Sequence, residues 1–428
     1  MDPAMITTII MIFAIVMFAW EKLPLAVSAM IVMLALHVTG VLTPAQTFAG
    51  FVNSSVILFA TMFVVSDALF RTGVAVQIAG VITRFAKTEK SATIATMFTV
   101  GVVSSFMSNT AAAAIFLPIV IGICKRGGFS RSRMLMPMAF AATMGGSLSL
   151  IASPGNVIAH SVLQEHGYAG FTFFNLGYVG FPALIFGIAF FYILGNKLIP
   201  DRQLGEATVK ENESYDHVPA WKKQVSIGTL AAIVLAMVFI DQLNDIVQHM
   251  NITLHVISSI GALFLVVVGV LDEKEAYQAI EWKVIFLFAG TLPLATALDI
   301  TGAGANFAAF AINLLGGNPT PLAATAMVYF TSVILTTLMS NTATTALLAP
   351  IAIAIAHQLG ADPTAAAAAT VVGAAMAFAT PIATPPNTIV YGHGGYRFTD
   401  YVIAGTPLVF VMAVPVLVLL PLVFPFFP

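Results

Sequence analysis

The 428-residue chain is 59% hydrophobic and 8% charged, with a net charge of −2. Soluble domains carry about 25% charged residues, so this is the composition of a polytopic membrane protein, and the near-neutral balance argues against a nucleic-acid partner. Cys124 is the only cysteine, which excludes a disulfide framework and a cysteine-based metal cluster.

The first apolar run, 4–20, follows Met1-Asp2-Pro3-Ala4 with no basic stretch and no small-x-small cleavage site before Trp20, and it reads as a retained span. A helix needs roughly 20 apolar residues to cross the hydrocarbon, and further spans follow at 24–42 and 54–72. The stretch 71–90, with Arg71, Arg84 and Lys87, suits an amphipathic helix along the interface. Segment 92–124 is apolar but interrupted by Ser108-Asn109-Thr110, and it reads as a hairpin that enters and returns on one side. Irregular backbone at membrane depth is tolerated only where protein or a water-filled cavity covers it. Span 134–160 is broken by Ala152-Ser153-Pro154-Gly155-Asn156, because proline removes a helix donor and clashes with the preceding turn. Span 176–198 leads to a charged connector, 200–223, carrying Asp201, Arg202, Glu206, Lys210, Glu211 and Glu213. Spans 225–243, 252–271 and 283–302 come next, then a second interrupted hairpin, 322–357, around Ser340-Asn341-Thr342. Span 364–391 is broken by Ala383-Thr384-Pro385-Pro386-Asn387, and 404–427 is the last.

The second half restates the first. Pro118 and Pro350 each stand ten positions after the serine of their triplet. Phe59-Ala60 aligns with Phe288-Ala289 (288 − 59 = 229), Thr72-Gly73 with Thr301-Gly302, the triplets with each other (340 − 108 = 232) and Asn156 with Asn387 (387 − 156 = 231). Each repeat holds five spans, an odd number, so the second must enter from the opposite face. The fold class is an all-α polytopic membrane protein, an inverted repeat of five transmembrane helices plus one re-entrant hairpin each, with discontinuous helices. Threaded this way, Lys22, Arg71, Arg84, Lys87, Lys90, Lys125, Arg126, Arg131, Arg133, Lys197, Arg202, Lys210, Lys222, Lys223, Lys274, Lys283 and Arg397, all 17 basic residues, fall on one face. The positive-inside rule makes that face cytoplasmic and puts both termini outside, in a cell inner or plasma membrane.

Ser, Asn and Thr are preferred helix N-caps, so the return arm of each hairpin should begin at its triplet. Pro154 and Pro385 suit the first position of a second half-helix. Four helix N-termini would then converge near the midplane, where they bind an anion without lysine or arginine. Ser104 and Thr336 each precede their triplet's serine by four residues, on the same helical face. Hydroxyl, amide and carbonyl oxygens without a carboxylate suit a hard monovalent cation such as sodium. Helix packing would explain a single polar triplet, but not a duplicated triplet paired with a duplicated break. Asp67 and Asp299 do not match in the repeat and read as carboxylates at helix ends. His37 reads as a satisfied polar residue and His393 as part of a flexible turn, while Trp20, Trp221 and Trp282 fall near span ends as aromatic belts do. There is no His-Glu-x-x-His, no Gly-x-Ser-x-Gly and no aspartate pair within a span, which argues against an enzyme.

The two triplets, the run Gly145-Gly146-Ser147-Leu148-Ser149-Leu150-Ile151-Ala152-Ser153-Pro154-Gly155-Asn156 and the run Ala383-Thr384-Pro385-Pro386-Asn387 resemble the divalent anion:sodium symporters, of the bacterial sodium/dicarboxylate type, over nearly the whole chain. The resemblance implies a homodimer whose protomers each hold a scaffold and a transport domain that moves like an elevator. The scaffold would comprise 1–91 and 224–320, the transport domain 92–199 and 321–428, and the connector 200–223 would be cytoplasmic. It implies two or more coupling sodium ions, no organic cofactor, and uptake of a C4-dicarboxylate, citrate or sulfate. By motif, Asn109, Thr110, Ser153, Asn341, Thr342, Thr384 and Pro385 would contact the anion. One sodium would lie among Ser104, Ser108, Asn109 and Ala152, the other among Thr336, Met339, Asn341 and Ala383. The chain departs from the family pattern at Gly155, where a second proline is usual, at Ala152, which replaces a frequent glycine, and in starting one span later than many members.

Overall fold

The structure, a computed structural model, describes residues 2–20, 22–80, 82, 87–202, 218–246 and 252–427. Arg84 of the expected interface helix, and Glu206, Lys210, Glu211 and Glu213 of the connector, lie outside them. Among the described residues every regular element is a helix. Among the described residues seven helices are long and apolar enough to cross a membrane, and shorter apolar helices occur as well.

The interrupted segments fold as the sequence requires. The first hairpin has an entering arm, Glu89–Ser104, and a return arm, Asn109–Gly127; the second has Pro321–Thr336 and Asn341–Gln358. The first broken span is Arg131–Gly145 followed by the half-helix Pro154–Glu165, and the second is Thr364–Ala374 followed by Pro385–His393. Each entering arm lies against the first part of its own repeat's broken span. Helix Leu25–Val38 recurs as Leu254–Val267 (254 − 25 = 229). Gly73 and Gly302, which precede Val74–Ala79 and Ala303–Leu314, both take positive φ, 73° and 72°. Glycine alone adopts that conformation cheaply, which is why this landmark survives in both repeats. The aligned Phe59 and Phe288 meet edge to face, with ring centroids 6.1 Å apart.

Several expected boundaries move. Spans 24–42 and 252–271 shorten to 14 residues each, because Gly40 and Gly269 turn the chain with positive φ and the next N–H groups, of Val41 and Val270, bond back to Leu36 and Leu265. The last span begins at Phe398, not 404, because Asp400 in its first turn is paired with Arg202 at 2.7 Å. Span 225–243 becomes Ala220–Val238, whose Lys222 donates to Val270 O at 3.1 Å. Helix Ala303–Leu314 was not expected.

The polar contacts fall into two groups. One joins Arg71 to Asp67 and Glu275, Arg133 to Glu89 and Asp201, and Arg202 to Asp400. The base of the first hairpin belongs to it, through Glu89 accepting from Ser130 N–H at 2.9 Å. The other joins Asn53 to Glu165, His166 to Asp299, Tyr168 to His357, and Gln358 to Ala305 O. The base of the second hairpin belongs to that one. Asp67 therefore sits in an ion pair at a helix end, and Asp299, also at a helix end, lies 3.7 Å from His166 Nε2.

The repeats are also joined at Tyr396, whose hydroxyl accepts from Met136 N–H at 2.7 Å and donates to Ser132 O. Tyr396→Phe strands a buried N–H. It should lower the unfolding free energy by about 1–3 kcal/mol, read as a lower melting temperature in detergent. An unchanged melting temperature would remove this bridge from the account.

Candidate functional site

Each triplet starts a helix. Ser108 and Ser340 are N-caps, with φ/ψ of −61°/142° and −64°/152°, and each hydroxyl accepts the N–H three residues on, of Ala111 and Ala343, at 3.2 Å. Asn109 and Asn341 follow as the first helical residues. Capping frees the asparagine side chains for another task. Ser104 Oγ donates to Asn109 Oδ1 at 3.0 Å and Thr336 Oγ1 to Asn341 Oδ1 at 2.7 Å. The same two hydroxyls lie 2.7 Å from Ala142 O and 3.1 Å from Ala374 O, so the entering arm, triplet and broken span are tied together identically in both repeats. The carbonyl beside Ser104 is thus that of Ala142, while Ala152 sits buried inside the break.

The breaks are held by residues that served the sequence reading only as landmarks. Asn156 Nδ2 donates to Gly146 O and Ser149 O, both at 2.7 Å. Asn387 Nδ2 donates to Ala377 O at 3.1 Å and Thr380 O at 3.0 Å. These carbonyls lie ten and seven residues upstream in each case. The amide replaces the helix donors that the break removes, and the recurrence of Asn two positions after each Pro was the only sequence signal for it. Ser153 and Thr384 cap the half-helices with extended backbone, φ −141° and −140°, and neither side chain makes a capping bond.

The repeats meet crosswise. Half-helix Pro154–Glu165 packs on the second return arm, and Pro385–His393 on the first. Asn109 lies against Gly146, whose carbonyl Asn156 holds, and Gly155 lies against Asn341 and Thr345. The first half-helix, which starts after Ser153, thereby belongs with the arm that starts at Asn341, and the second, which starts after Thr384, with the arm that starts at Asn109. Thr110 and Pro385 are exposed, Thr342 and Ser153 half-buried, and Met339 and Ala383 buried. Among the described residues, buried oxygens without a hydrogen-bond partner include Thr344 Oγ1 of the second return arm and Thr380 Oγ1, Thr384 Oγ1 and Asn387 Oδ1 of the second break, besides those of Ser28, Thr96, Asn175, Thr229 and Tyr329 elsewhere. Such oxygens are costly to bury unless something binds them. The four oxygens of the second arm and break are neutral, the ligand type that a hard monovalent cation takes. Among the described residues no cluster of His, Cys, Asp and Glu is arranged to hold another metal.

Comparison with known proteins agrees with this architecture. The family described as "Citrate transporter" matches residues 15–373. An uncharacterized transporter of Escherichia coli K12, YfbS, is 24% identical, over 96% of this chain and 98% of its own. A sodium-dependent dicarboxylate transporter of Staphylococcus aureus, SdcS, is 24% identical, over 87% of this chain and 77% of its own. The solved YdaH transporter of Alcanivorax borkumensis superposes with a TM-score of 0.66 at 14% identity, covering 96% of this chain and 98% of its own, a likeness of fold.

Proposed function

The chain belongs to the citrate transporter family, and on that premise we propose that it is a secondary active transporter that moves a small dianion, a C4-dicarboxylate such as succinate, malate or fumarate, with sodium. The observation that carries the reading is that each half-helix packs on the other repeat's return arm, and that none of these four helix starts has a lysine or arginine in its first turn. Free N–H groups at helix starts carry partial positive charge and bind anions, while the neutral oxygens beside them suit sodium. Asn109, Thr110, Ser153, Asn341, Thr342, Thr384 and Pro385 contact the anion in this reading. Sodium ions take Ser104, Ser108, Asn109 and Ala152 in the first half, and Thr336, Met339, Asn341 and Ala383 in the second. The resemblance to SdcS supports sodium and a dicarboxylate; the family description favours citrate as the second reading.

The two polar groups of contacts support an inverted repeat whose basic end is cytoplasmic, with both termini outside. Residues 92–199 and 321–428 form the moving transport domain, 1–91 and 224–320 the scaffold, and two copies assemble as a dimer.

Purified protein in proteoliposomes should take up labelled succinate saturably, and only with a sodium gradient. Uptake without sodium that is accelerated by succinate trapped inside would replace symport with exchange. Saturable citrate uptake without succinate uptake would favour the second reading. Uptake of neither would end the proposal.

A further inference from the structure

The two half-helix starts differ at one position. The first reads Ser153-Pro154-Gly155 and the second Thr384-Pro385-Pro386. Gly155 is buried with its α-carbon turned to the second return arm. A methyl group built on it would lie 2.7 Å from Thr345 Oγ1 and 3.3 Å from Thr345 Cβ. Thr345 cannot turn away freely, because it is buried and its hydroxyl donates to Asn341 O at 3.0 Å. The repeat places Ala113 at the position of Thr345 (345 − 232 = 113), and Ala113 is buried too. Gly155 thus meets Thr345 in one half, and the corresponding positions in the other are Pro386 and Ala113. Bulk has moved across the contact between repeats, from half-helix to return arm.

The exchange has a chemical result. Proline has no N–H, so Pro386 adds no donor to the second half-helix start. Gly155 stands second in its helix, within the turn whose N–H groups have no acceptor in the helix. The return arm it packs against carries Thr344, fully buried and with an unpartnered hydroxyl, in its own first turn. At the start of the second half-helix the buried Thr384 hydroxyl is unpartnered as well. Polar groups buried without partners call for one, and a bound ligand is one way to supply it.

Resting on the transport reading above, we infer that Gly155 is a specificity-determining residue whose N–H donates to the anion. The substrate's carboxylate on the first half-helix receives one more backbone hydrogen bond than the carboxylate on the second, and Thr345 fills the space that the missing side chain leaves.

The test separates the donor from the packing. Gly155→Ala/Thr345→Ala moves the bulk back and keeps the N–H. Gly155→Pro/Thr345→Ala moves it back and removes the N–H, reproducing the second half. Sodium-driven succinate uptake is measured for both and for the unaltered protein, using citrate if that is the anion carried. The alanine pair, which still carries the N–H, should have a KM well below that of the proline pair. The proline pair should raise KM about tenfold, the loss of roughly one hydrogen bond to a charged group, with the same sodium dependence. Equal KM values for the two variants would overturn the assignment, and so would an alanine pair as impaired as the proline pair. In the unaltered protein, saturating succinate should slow hydrogen exchange of the Gly155 amide, a readout that needs no variant; an unchanged rate would also overturn it. Failure of the unaltered protein to carry any anion would instead remove the transport reading itself.

Discussion

Asn109→Ala and Asn341→Ala each reduce sodium-driven anion uptake to background, while the protein still inserts and elutes as the unaltered one does. Each amide stands at the first position of a return arm and accepts the hydroxyl of its entering arm, at 3.0 Å from Ser104 and 2.7 Å from Thr336. In the proposed site the same side chain serves both the anion and the adjoining sodium. Loss of one hydrogen bond to a charged group costs about 1.5–3 kcal/mol, or roughly ten- to a hundredfold in affinity. Removing a group shared by two ligands weakens both and their coupling. Stability should change little, because the helix caps are Ser108 and Ser340, not the asparagines. Normal uptake by either variant would show that the site lies elsewhere.

Asn387→Asp should be the most damaging single change to the fold. The amide of Asn387 is fully buried and supplies both hydrogen bonds that close the second break. An aspartate has no donor when ionised, so Ala377 O and Thr380 O would face a buried carboxylate. Each orphaned acceptor costs about 1–3 kcal/mol, and the charge adds to that. The expected result is loss of folded protein in detergent, or a melting temperature far below that of the unaltered chain. Asn156→Asp should act the same way on the first break. A variant of either kind with unchanged melting temperature would mean that the breaks are held by something other than these amides.

The sequence disclosed the polar interruptions well, because a polar phrase inside an apolar run has few structural explanations. Segments 92–124 and 322–357 became Glu89–Gly127 and Pro321–Gln358, with helices restarting after Ser108 and Ser340. The helix lengths elsewhere were less legible. Val41 and Leu42 continue an apolar run, yet they belong to the fold-back after Leu25–Val38, where Leu42 is buried again. Apolar composition reports burial, and here burial continues after the helix has stopped. The last helix departs in the other direction, beginning at Phe398 ahead of the span read from 404, with Asp400 in its first turn paired to Arg202. Of the site, the residue types and the caps were readable. The crosswise meeting was not, because no periodicity in one chain tells that Gly155 of the first repeat must fit Thr345 of the second.

That interlocking has a consequence for how such a molecule changes over generations. A mutation in one half is felt first by the opposite half, so tolerated substitutions should arise as compensating couples spanning the duplication. The ancestral segment would have had to complete itself with a second copy of the same chain, and a modern half, expressed by itself, should be inert until its complement is supplied.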